Sequence, residues 1–156
     1  MRNLSIAILS VCFILCGLQS LAQDAQHTKI PINEPDNNKP KLFADLPDRL
    51  DFNPSNLTNL FQAKVGQSVN IAISTGFSFS GQVVSKSDDA SSNSVVVSST
   101  NRIGARLIFS KVTDENNATR YIGRIISLKH GDSYEIAVEN NQYYFKKTGY
   151  YDIIAE

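Results

Sequence analysis

All five prolines, Pro31, Pro35, Pro40, Pro47 and Pro54, lie between residues 31 and 54, and none occurs from Ser55 to Glu156. Proline has no amide hydrogen to give to a β ladder, so its absence from the longer stretch suits a sheet-rich domain. Around the prolines stand Asn33, Glu34, Asp36, Asn37, Asn38 and Lys39. That composition buries too little apolar area to offset the entropy of ordering. The expected organisation is a leader over residues 1–22, a proline- and asparagine-rich disordered tail or linker over 23–52, and a small all-β domain over 53–156. Leu42, Phe43, Leu46, Leu50 and Phe52 are apolar enough for the end of the tail to pack on the domain.

The first 22 residues have the form of a cleavable signal peptide. Arg2 supplies the positive start, Leu4 to Leu18 is apolar apart from Ser5, Ser10 and Gly17, and Ser20 and Ala22 put small residues at −3 and −1 of a cleavage site before Gln23. The apolar core is short for a membrane span, and the polar Gln19 and Ser20 follow it at once. The chain is therefore expected to be exported, to the periplasm, the cell surface or the medium, with no membrane span in its mature form. Both cysteines, Cys12 and Cys16, belong to the leader. Neither is preceded by the small residue that lipid attachment needs. The mature chain thus lacks disulfides and thiolate ligands and must be stabilised by its core. Loss of Arg2 leaves one net negative charge on a chain whose formal charge is zero, which argues against nucleic acid as a partner.

Beyond the tail, Ser55 is placed to cap a short helix carrying Leu57, Leu60 and Phe61. That helix could plug an open end of the sheet. Then apolar residues recur with period two. Val69, Ile71 and Ile73 share a face, as do Phe77, Phe79, Gly81 and Val83. Ser87 to Asn93 reads as a polar loop, Ser94–Ser99 as a strand with Val96 inward, and Ala105–Val112 as another. Thr119–Lys129 makes a long strand in which Ile125–Ile126 is apolar on both faces, as a bulge at Gly123 or a strand covered on both sides would explain. His130-Gly131-Asp132 is a tight turn, and Tyr134, Ile136 and Val138 alternate inward. Asn140-Asn141 is a hairpin turn, because asparagine tolerates positive φ. Gln142–Lys147 and Tyr150–Ala155 complete about eight short strands, in a single antiparallel barrel or sandwich. The expected core is Val69, Ile71, Ile73, Phe77, Phe79, Val96, Leu107, Phe109, Ile136, Val138 and Phe145.

Catalytic and metal chemistry find little support in the sequence. Of two histidines, His27 lies in the tail and His130 in a turn, where it reads as a solvated side chain and not as the packed base of a Ser-His-Asp relay. Zinc would need more histidine or cysteine. The acidic runs Asp88-Asp89 and Asp114-Glu115 lack the spacing of a calcium loop and sit in turns, the wrong setting for paired catalytic carboxylates. No glycine-rich phosphate loop precedes a helix, and no cofactor is expected. Asn56-Leu57-Thr58 and Asn117-Ala118-Thr119 match glycosylation sequons, which matter only in a host that modifies them.

The most distinctive run is Tyr143-Tyr144-Phe145-Lys146-Lys147-Thr148-Gly149-Tyr150-Tyr151. Alternation sends Tyr143 and Phe145 inward and leaves Tyr144 and Lys146 outside, with Tyr151 on a neighbouring strand. Outward tyrosines on a sheet can bind sugars or proteins, or merely pack across strands. Tyr144, Lys146 and Tyr151 are the candidate binding residues, for an unidentified protein or glycan partner. The leader's Ser-Leu-Ala-Gln ending and the segments Gly104–Leu107 and Tyr121–Ile126 resemble small exported proteins of Gram-negative bacteria. Phe79–Val83, a loop, and Val95–Val97 before a glycine turn resemble the β-rich propeptides that precede secreted metalloproteases, a likeness of some thirty residues. It implies a freestanding propeptide-like protein or protease inhibitor. The leading expectation is a non-enzymatic binding or accessory module, with a hydrolase of unfamiliar site as the third class.

Overall fold

The computed structural model describes residues 40–149. The expected leader, the expected tail as far as residue 39 and the expected last strand Tyr150–Ala155 lie outside them. Within that range lie eight strands, the last seven joined by short turns: β1 (Arg49–Asp51), β2 (Ser68–Ser74), β3 (Phe77–Asp89), β4 (Ser92–Ser99), β5 (Arg106–Thr113), β6 (Thr119–Ser127), β7 (Asp132–Glu139) and β8 (Gln142–Gly149). All belong to one antiparallel sheet in the order β1-β8-β7-β6-β5-β4-β3-β2. Strands β2 to β8 are thus a plain meander, and β1 closes on the outer side of β8, with Leu50 opposite Phe145. The sheet curls into a half-barrel, and the two layers of a sandwich are not formed.

Period-two patterning accounts for most of the register. Phe77, Phe79 and Val83 from β3, Leu107 and Phe109 from β5, and Phe145 from β8 are all buried on the concave side. Two expected core positions are corrected. Val95 and Val97, not Val96, are buried; Val96 faces outward opposite Ile108. Three consecutive β-branched residues carry no alternation, so only the pairing of Val83 with Val97 decides which face is inner. Val138 lies on the expected face, opposite Tyr143, but is 54% exposed. The ladder between β6 and β7 runs only from Arg124–Glu135 to Ser127–Asp132, so nothing from β6 covers Val138. Across that divergence the Tyr121 amide donates to the Tyr143 hydroxyl over 3.4 Å.

Glycine works here by close approach. At Gly123 a Cβ would strike the Ile108 carbonyl oxygen and lie 3.2 Å from Phe109 Cα. No bulge interrupts the ladder there; Gly123 faces Phe109 in regular register. Ile125 is fully buried, whereas Ile126 turns to the convex side. Bulges occur instead at Ala72–Ser74 and Val83–Ser85. The second lets β3 run on through the expected polar loop to Asp89, pairing residue for residue with β4 as far as Ser92. Asn140 and Asn141 adopt φ of 49° and 63°, the left-handed pair that a two-residue hairpin turn requires.

The segment before β2 covers the concave face. A helix, α1 (Ser55–Thr58), continues as a 3₁₀ turn over Asn59–Gln62 and buries Leu57 and Leu60. The N-cap is Pro54 and makes no side-chain cap bond; just before it the Asn53 side-chain oxygen accepts from the Ser55 amide at 3.0 Å and hydroxyl at 2.8 Å, and Ser55 is the first helical residue instead of the expected cap. Phe43 and Leu50 are at 0% and 3% exposure, so the packed domain includes residues 41–52, upstream of the boundary expected near residue 52. The proline-rich composition hides this, because the apolar residues that pack are spaced singly among polar ones.

Candidate binding surface

The convex face of β1, β8 and β7 carries the expected recognition residues. Tyr144 and Lys146 both point outward from β8, with Phe145 between them at 0% exposure. Tyr151 lies outside the described residues. Register sets Tyr144 beside Asp51 on β1 and Ala137 on β7, and Lys146 between Arg49 and Glu135. Tyr144 is half-buried, and the cause is a residue of β1, within the proline-rich stretch. The Arg49 guanidinium lies 3.9 Å from the centre of the Tyr144 ring.

Arg49 is fixed there by two carboxylates. Its Nε donates to Asp51 at 2.8 Å, and its Nη1 donates to Glu139, at the end of β7, at 2.5 Å. These hydrogen bonds, Glu139 first and then Asp51, raise the arginine further above its ordinary range, so it stays charged. A cation over a tyrosine ring at an exposed site contributes about 0.5–1 kcal/mol. One face of the ring is therefore covered by guanidinium, while Lys146 beside it remains exposed. The signal that could have located Arg49 was alternation within the tail itself: Leu50 and Phe52 face inward, Arg49 and Asp51 outward.

His130 differs from its expected solvated state. It is half-buried, and its Nδ1 shares a 2.7 Å hydrogen bond with the Ser127 hydroxyl. The arrangement fastens the turn between β6 and β7 and does not form a relay. Ser127 is at 0% exposure, out of reach of a substrate, and Asp132 directs Oδ2 to the Phe43 amide at 2.8 Å instead of to the imidazole. The acidic loops are likewise built into hairpins. Asp114 Oδ1 accepts from the Asn116 and Ala118 amides at 2.9 and 2.8 Å, Asp88 accepts from the Asn93 side chain, and Asp89 accepts from Ser87 Oγ at 2.8 Å. Among the described residues no three histidine, aspartate or glutamate side chains converge to hold a metal ion.

Inside the sheet an unbroken series of rings runs from the 3₁₀ turn to β8. Phe61 stacks on Phe109 at 5.3 Å and Phe109 on Tyr121 at 5.5 Å. Tyr121 meets Tyr143 edge-on at 5.7 Å, Tyr143 meets Phe52, and Phe52 stacks on Phe145 at 4.6 Å. Tyr143 therefore belongs to the interior packing and Tyr144 to the surface. No helix of the described residues is long and apolar enough to cross a membrane. No family model, curated protein or solved structure matches this chain.

Proposed function

We propose that this chain is an exported, non-enzymatic binding module, and that the convex face formed by Arg49, Tyr144 and Lys146 is its recognition surface. The observation that carries the reading is the Arg49–Tyr144 pair, placed by the bonds of Arg49 to Asp51 and Glu139 on strands of a continuous sheet. Arginine and tyrosine are enriched where binding energy concentrates, and a tyrosine ordered in advance loses little entropy on contact. Guanidinium over one ring face disfavours stacking of a sugar there. The adjoining Lys146, set between Arg49 and Glu135, adds an exposed cation to a face of mixed charge, which suits a protein partner with polar groups of both signs. The signal-peptide form of residues 1–22 supports export, and the mature protein should have the mass of a chain beginning at Gln23; an unprocessed chain or a lipid adduct would exclude that processing.

The surface is tested by Tyr144→Ala in the immobilised mature protein, with capture of envelope and medium proteins read beside the thermal midpoint. The expected stability loss is about 1 kcal/mol, the sum of one exposed cation–π contact and one cross-strand pair, while capture falls well beyond what that loss explains. A loss above about 2 kcal/mol with capture unchanged per folded molecule would assign Tyr144 to packing alone.

A further inference from the structure

Residues 41–47 cross one end of the half-barrel as a strap that pairs with no strand. At its centre is a turn closed by the Leu46 amide donating to the Phe43 carbonyl at 3.1 Å. Side chains from the body of the sheet hold the strap chiefly by its main chain. Arg102 Nη1 donates to the Leu42 carbonyl at 2.8 Å, and Lys147 Nζ to the Leu46 carbonyl at 2.7 Å. The Tyr134 hydroxyl donates to the Pro47 carbonyl at 2.5 Å, and Asp132 Oδ2 accepts from the Phe43 amide at 2.8 Å. Side-chain identity is read above all at Phe43 and Asp45, with Leu42 and Leu46 packed more loosely against the core. Phe43 is fully enclosed and meets Tyr134 edge-on at 5.6 Å, and Asp45 takes a two-pronged hydrogen bond from Arg102 at 2.7 and 2.5 Å.

This division of contacts is that of a peptide receptor. The main-chain bonds accept any segment of the right shape, and the pocket for Phe43 with the Arg102 fork selects its sequence. With the strap seated, Tyr134 and Asp132 are at 0% and 4% exposure, so both hydrogen bonds are made out of reach of solvent. Nor does the strap exhaust the groove. Asp132 Oδ1 is buried with no hydrogen-bond partner among the described residues, and a cavity of about 420 Å³ is lined by Ala44, Asp48, Asp132, Lys147 and Thr148.

We infer that this end of the half-barrel is a receptor groove for a peptide turn, filled in the isolated chain by its own Phe43–Pro47 segment as an intramolecular ligand. The partner it fits is a protein segment with an aromatic residue, a carboxylate two positions later, and an apolar residue followed by proline. The groove is a separate surface from the one around Tyr144 and stands or falls independently of it.

The test uses the mature full-length chain and a fluorescent peptide with the sequence of residues 40–49, read by anisotropy. In the wild type the tethered strap outcompetes the peptide. In Phe43→Ala the strap has lost its anchor, and saturable binding should appear at least tenfold tighter than to the wild type. Adding Arg102→Ala should abolish it, as should replacing the peptide's own phenylalanine with alanine. A folded Phe43→Ala protein, with its thermal transition intact, that binds the peptide no better than the wild type overturns the inference. So does binding that survives Arg102→Ala. Should Phe43→Ala fail to fold, Asp45→Ala, which removes only an exposed ion pair, replaces it, with an expected gain of at least threefold and the same refuting outcomes.

Discussion

Phe109→Ala tests the interior most directly. The ring is at 0% exposure, with Phe61 stacked on one side at an interplanar angle of 20° and Tyr121 on the other at 3°. Truncating a buried phenylalanine costs about 3–5 kcal/mol from lost transfer energy and the residual cavity. Two ring contacts, each contributing about 0.5–1.5 kcal/mol beyond burial, place the expected loss in the upper half of that range. The cavity cannot close cheaply, because Gly123 across the ladder already sits against the β5 backbone. Urea denaturation followed by far-ultraviolet circular dichroism measures the loss. The Phe61→Ala single variant and the double variant complete a cycle, in which a coupling of about 0.5–1.5 kcal/mol isolates the Phe61–Phe109 contact. A loss below about 1 kcal/mol would place Phe109 at the surface and invert the face assignment of β5.

Gly123→Ala should cost about 1–3 kcal/mol, because the new methyl meets main-chain atoms of β5 that no rotamer change can move; a neutral thermal shift would mean that β5 and β6 can separate locally at no cost. Tyr134→Phe should lose about 1 kcal/mol near neutrality with the bond to Pro47. Burial, with Asp48 and Asp45 nearby, pushes the Tyr134 phenol from 10.0 up to about 12. The folded state thus favours the neutral form, and its contribution, complete below pH 10, disappears as pH rises through about 12. Stability measured from pH 9 to 12 should fall less steeply in the variant; identical slopes would remove Tyr134 as the group responsible.

Strand content and the faces of most strands were legible because a single-layered sheet with one buried side writes its burial into the sequence at period two. Phe77, Phe79, Leu107, Phe109 and Phe145 are read correctly for that reason. The pattern is silent where both neighbours are equally apolar, as at Val96, and where a strand outruns its partner, as at Val138. Chain-distant pairings were less legible still. Leu50 pairs with Phe145 and Arg49 covers Tyr144 across nearly the whole length of the domain. The outward placement of Tyr144 and Lys146 follows from alternation, but the neighbour that organises them does not. The buried state of Asp132 was hidden for the same reason: a His-Gly-Asp turn reads as solvated until residues 41–47 are laid over it.

An open curled sheet faces a problem that a closed barrel does not, since its two outermost strands leave the concave side uncovered. Here β1 and β2 approach one another without pairing, and the chain between and before them supplies the cover. Leu57 and Leu60 come from the helical turn and Phe43 from the strap, all within the same buried cluster as Phe79, Val97 and Phe109. The two kinds of cover differ in chemistry. The helical turn lies against the ring series and is held by apolar contact, with one bond from Lys86 Nζ to the Phe61 carbonyl at 2.7 Å. The strap is held by charged and hydroxyl groups acting on its carbonyls. Apolar cover is interchangeable with many apolar shapes, whereas directional bonds to a main chain specify a peptide in one position. A domain begun at residue 53 would keep all of the meander and lose Phe43, Leu50 and Phe52 together, baring Phe145 and Tyr134. The proline-rich stretch therefore contributes to the core from Phe43 onward, with Leu50 and Phe52 built in beside Phe145 and Phe43 seated in the groove at the end.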